Sequence, residues 1–107
     1  MENFMPKSED KIEIENFTSP GRVKCVDRAK YIAMRDALLS VLPARSPGVT
    51  VPDAKKALLP SLPDTLFPGG NKSGWWLKAV QLDLEAKGVI KRATTSPIRL
   101  FRSTGKD

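Results

Sequence analysis

The chain has 107 residues, 40% of them apolar, a formal net charge of +6 and a pI near 9.7, which suits one compact domain with a small core and a preference for anionic partners. It holds no histidine and a single cysteine, Cys25, which excludes an internal disulfide, histidine-based triads and histidine metal sites. No long apolar run marks the N-terminus as a signal peptide or membrane span, so a cytoplasmic, bacterial protein with no membrane partner is expected.

The charge is uneven. Residues 1–20 are net acidic, 21–46 and 87–107 are net basic, and 47–86 balance. Residues 1–10 are polar and contain Pro6, which predicts a flexible tail, with residues 103–107 as its C-terminal counterpart and 11–102 as the single domain.

In "KIEIE", residues 11–15, Ile12 and Ile14 alternate with charges and predict a short strand. Pro20-Gly21 then punctuates a turn. "RVKCV" alternates again, with Val23 and Cys25 against Arg22, Lys24 and Val26. It reads either as a second strand or as an extended approach to a helix.

Asp27 is a suitable N-cap for that helix. From Arg28 to Leu42 there is no Gly or Pro, and Tyr31, Met34, Leu38, Val41 and Leu42 form an apolar stripe that Pro43 ends. A second, short helix opens at Thr50, whose spacing to Asp53 suits a capping box, and stops by Pro60. In the turn-rich segment that follows, Leu62, Leu66 and Phe67 are expected to plug the core edge.

The third helix begins near Ser73, which can cap it. Trp75, Trp76, Ala79, Val80, Leu82, Leu84 and Ala86 fill a broad apolar arc, and Lys78, Gln81 and Glu85 a narrow polar one. Asp83 and Lys87 interrupt the apolar side. Gly88 is a natural residue for reversing the chain after the helix, and "VIKRA" and "PIRLF" can then pair as two short strands.

The order of strand signals, three helices and a terminal hairpin predicts a mainly α domain with a small β-hairpin. The stretch "LEAKGVIKR" resembles the junction between recognition helix and wing in winged-helix regulators, which implies a winged helix-turn-helix-like three-helix domain. A second resemblance spans roughly residues 11–102. "PGR", "AKY.AMRDALL", "LFPGG" and "GWW.K.VQLDLEAKGVI" look like a small family of uncharacterised bacterial proteins, a likeness that implies no activity or site residue.

The local motifs narrow the function classes. Gly69 to Gly74 has the glycine spacing of a phosphate loop, but Trp75 and Trp76 stand where Lys and Ser are required. Free N–H groups near Ser73, with Lys72 beside them, attract anions or simply begin a helix after a loop. Lys78 and Gln81 are the types that read guanine and adenine edges. Lys91, Arg92, Arg99 and Arg102 lie on the hairpin, where they either hold phosphates or protect an edge strand. The tryptophan pair diverges by about 100° on a helix, so one ring suits the core while the other either seals the loop of Phe67 or anchors a partner.

No pair of carboxylates is set against a nucleophile, and no catalytic, cofactor or metal residue is assigned; the chain is not expected to be an enzyme. The expected function is DNA binding, with Lys72, Lys78 and Gln81 at the groove and Lys91, Arg92, Arg99 and Arg102 on the duplex backbone. The alternative is a protein-interaction module, or a homodimer contact, that uses Phe67, Trp75 and Trp76 and no nucleic acid.

Overall fold

A computed structural model of the chain describes residues 11–103. The element order is β1 (Lys11–Glu15), β2 (Val23–Asp27), α1 (Arg28–Val41), β3 (Val49–Thr50), α2 (Val51–Leu58), α3 (Ser73–Ala86), β4 (Ile90–Ala93) and β5 (Arg99–Arg102), with short 3-10 turns at Leu59–Ser61 and Pro68–Gly70.

The strands form two antiparallel sheets. β1 pairs with β2 in register Ile12↔Val26 and Ile14↔Lys24. The second sheet has the order β3-β5-β4, with Val49 opposite Leu100 and Arg92 opposite Leu100 on the other side. The expectation of a mainly α, winged helix-turn-helix-like three-helix domain with a small hairpin is therefore corrected: the described residues form a small α/β domain with three helices, two sheets and five strands. Two events make the difference. "RVKCV" commits to a strand and closes a separate hairpin with β1, and Val49–Thr50 adds a third strand to the C-terminal pair.

Local chemistry explains the helix boundaries. Asp27 Oδ1 accepts from the backbone N–H groups of Ala29 and Lys30, at 2.9 and 3.3 Å, and so caps α1. Thr50 Oγ1 accepts from Asp53 N at 3.3 Å and caps α2, where Pro52 occupies the first turn without loss of a bond. Ser73 does not cap α3. It is the first residue of the helix and buried, while Lys72 takes the cap position with a left-handed φ of 62° and no side-chain bond. At the other end Gly88 has φ 77°, its N–H bonds Glu85 O, and Val89 N bonds Leu84 O at 2.9 Å.

One core joins all of these elements. Met34, Leu38, Leu58, Val80 and Leu100 are wholly buried, and Ile14, Val26 and Ile90 bring β1, β2 and β4 to the same cluster. Of the expected tails, 1–10 and 103–107, residues 1–10 and 104–107 lie outside the described residues. Ser103 belongs to the ordered edge, since its N–H donates to Val89 O at 2.9 Å.

Candidate nucleic-acid interface

The site begins with what covers α3. Its inner face carries Trp76, Leu77, Val80 and Leu84 into the core. The β1–β2 hairpin closes over a second face, where Phe17 N donates to Leu82 O at 3.2 Å and Glu15 N to Asp83 Oδ1 at 2.8 Å. As a result every residue from Val80 to Glu85 is buried, and the exposed part of α3 shrinks to Gly74, Trp75 and Lys78 near its start and Ala86 at its end. A helix covered on most sides must satisfy its polar groups internally.

Two carboxylates do this. Asp83, with no exposed surface, accepts from the Tyr31 hydroxyl, Glu15 N and Lys87 Nζ, the last at 2.9 Å. Burial, reinforced by the Asp83 hydrogen bond, pushes the Tyr31 phenol well above its ordinary range. Glu85 takes the Arg92 guanidinium as a two-pronged fork through Nε and Nη2 and accepts from Gln81 Nε2 at 2.9 Å. Arg92 also lies 5.1 Å from the Phe17 ring centroid. Asp83 thus ties β1 and α1 to α3, and Glu85 ties β4 and the hairpin connection to it. Neither lines either of the two grooves that flank α3.

Around the exposed turns of α3 the surface is grooved on both flanks. The first groove, about 510 Å³, lies between α3 and the hairpin and is lined by Arg22, Lys24, Trp75, Lys78, Leu82 and Glu15 among others. The second, about 480 Å³, lies on the other flank and includes Lys55, Lys78, Gln81 and Arg92. Lys78 borders both. Together the grooves collect five cations against one carboxylate, Glu15. Arg22, Lys24, Lys55 and Lys78 make no ion pair among the described residues.

The hairpin loop is shaped by Asn16, whose Oδ1 accepts from Thr18 N at 2.8 Å and from Thr18 Oγ1 at 2.6 Å. Strand alternation then puts Lys24 on the same face as buried Val26, and Arg22, just before β2, lines the same groove against α3.

The residues singled out from sequence separate into groups. Lys72 and Lys78 are exposed near one end of α3. Gln81 is only 5% exposed, and its amide donates to Glu85 rather than facing solvent. The four hairpin cations do not share a face. Opposed residues in an antiparallel pair point the same way, so Lys91 and Arg99 lie with Phe101 on the outer side, while Arg92 and Arg102 lie with core residues Ile90 and Leu100. Arg99 donates to Gly48 O at 3.2 Å and Arg102 Nε to Leu42 O at 2.8 Å, so both also serve the fold. Of the aromatic trio, Phe67 and Trp76 are buried and meet edge to face at 6.4 Å. Trp75 alone stands out, 49% exposed, with Trp76 at 5.1 Å and Lys24 Nζ 5.0 Å from its ring centroid.

Arg22, Lys24 and Lys55 were not among the sequence candidates. The signal for the first two was the period-2 pattern that groups them with Val26. Lys55 carried none, because its place beside Gly74 depends on how α2 meets α3.

Fold and site define a small α/β domain with a cation-lined surface around an exposed tryptophan. The chain belongs to a family of unknown function, DUF6958, whose model matches residues 11–100. Comparison with curated proteins and with solved structures returned no match. No described helix is long and apolar enough to cross a membrane.

Proposed function

We propose that this protein binds nucleic acid, with the backbone of double-stranded DNA as its ligand, through the cations that flank the exposed turns of α3. The observation that carries the reading is the charge balance of the two grooves, five cations to one carboxylate, with Arg22, Lys24, Lys55 and Lys78 free of acidic partners among the described residues. Phosphates are the ligands that such a surface neutralises best, and release of their counterions drives the binding. Lys72 extends the patch, and Lys91 and Arg99 offer a separate backbone contact. Sequence selection is weak on this reading, because Gln81 is committed to Glu85 and Lys78 is assigned to the phosphates.

The alternative, a protein-interaction module, is left with Trp75 as its exposed anchor, since Phe67 and Trp76 belong to the core. The test is a titration with random-sequence duplex at two salt concentrations. The expected result is measurable affinity at low salt that falls by a log–log slope of about −0.9 for each phosphate held. Absence of binding at low salt overturns the proposal.

A further inference from the structure

Resting on that reading, we infer that the groove between the β1–β2 hairpin and α3 takes one unpaired nucleotide, with its base stacked on Trp75 and its phosphates on Arg22, Lys24 and Lys78, so that the protein prefers DNA with a single-stranded stretch to a closed duplex.

The groove has the parts that an unpaired nucleotide needs. Its volume, about 510 Å³, falls in the range of about 300–1,000 Å³ in which small-molecule-sized groups are held. Ile14, Ala79 and Leu82 supply an apolar floor, and three cations outnumber the single carboxylate, Glu15, along its walls. Phosphate binding alone would not call for an indole here, yet Trp75 is half exposed at this place.

The ring is also held in position. Trp76 packs against it at 5.1 Å with the planes 80° apart, and Trp76 is itself fixed edge to face by buried Phe67. A fixed indole costs little entropy when a base stacks on it. Lys24 now covers part of this surface, its Nζ 5.0 Å from the ring centroid. Its four-carbon stem lets the ammonium swing from the ring to a phosphate as the base arrives, so one cation serves both states. In a closed duplex the bases are sealed in the stack and cannot reach the indole.

The experiment compares a labelled single strand with the closed duplex of the same sequence, by fluorescence anisotropy at one salt concentration. The expected result is single-strand binding about tenfold tighter, the scale of one stacked base. Trp75→Ala brings the ratio to about one, and Trp75→Phe restores part of the preference. Arg22→Gln with Lys78→Gln weakens both ligands. Duplex binding without a single-strand preference, or a preference that survives Trp75→Ala, overturns this inference and leaves the parent reading standing. Binding of neither ligand overturns both. Displacement of the strand by poly-glutamate, with the same dependence on Trp75, overturns it in favour of an acidic peptide.

Discussion

Tyr31 on α1 and Asp83 on α3 meet inside the fold, with the phenol O–H donating to Asp83 Oδ2 and no solvent reaching the carboxylate. Removal of that donor leaves a buried acceptor short of one bond, which costs about 1–3 kcal/mol. Tyr31→Phe is therefore expected to lower unfolding stability by that amount at neutral pH, measured by urea denaturation.

The same pair makes stability fall in alkali. Tyr31 is the chain's single tyrosine, and its folded pKa is raised above the ordinary 10.0, by burial first and by Asp83 second. Below pH 10 both folded and unfolded chains keep the proton, so the stabilisation is fully present. Above that value the unfolded chain loses its proton while the folded chain holds it, and the stabilisation drains away as pH rises toward the folded pKa. The gap between the parent protein and Tyr31→Phe should narrow above pH 10. Tyrosinate absorbance should appear together with unfolding and not before it.

How much of this was legible depends on range. Asp27, Thr50, Pro43 and Gly88 mark helix limits through bonds a few residues long, and those limits are where the sequence puts them. β3 was invisible, since two residues carry no periodicity and Val49–Thr50 exists as a strand only because β5 lies beside it. The hairpin on α3 was equally hidden. Asp83 in an apolar arc was the available clue, because a carboxylate there must either be exposed or have buried donors. Gln81 looked like a base reader because it shares the polar arc with Lys78. The hairpin and Arg92 close that arc from the sides, through contacts with residues far off in sequence.

Arg92 lines a groove, yet its first duty is to Glu85, whose side chain is almost wholly buried. Arg92→Ala strands that carboxylate with only Gln81 as donor, and breaking a buried pair from one side costs about 3–5 kcal/mol. A large loss in chemical denaturation is expected. The double variant Arg92→Met with Glu85→Met should recover much of it, because no buried charge is left alone. A double variant no more stable than Arg92→Ala would show that the fork itself, rather than relief of a stranded charge, sets the cost.

Gly48 and Gly88 both have left-handed φ values, 89° and 77°, but meet different surroundings. A Cβ at Gly88 meets nothing within 4 Å, whereas one at Gly48 would lie 1.9 Å from the Leu100 carbonyl oxygen. Gly88→Ala should cost about 1–2 kcal/mol of backbone strain. Gly48→Ala adds the separation of β3 from β5, for a total of more than about 3 kcal/mol. Thermal melts of the two variants side by side check the difference.

Salt dependence locates the phosphates. Arg22, Lys24, Lys55 and Lys78 border the grooves without acidic partners among the described residues. If each holds one phosphate of a duplex, the log–log slope is about −3.6. Lys72 and Lys91, exposed beyond the grooves, bring it toward about −5 if both engage. On the proposed reading, Lys78→Gln should lower the slope by about one, and Arg22→Gln with Lys78→Gln by about two if the two side chains reach separate phosphates. Lys56→Gln is the control: this lysine is exposed on α2 and lines neither groove, so its loss removes the same net charge without removing a contact. Equal slopes for Lys56→Gln and Lys78→Gln would mean that net charge alone attracts the DNA. A deficit confined to the groove variants would mean that contact does.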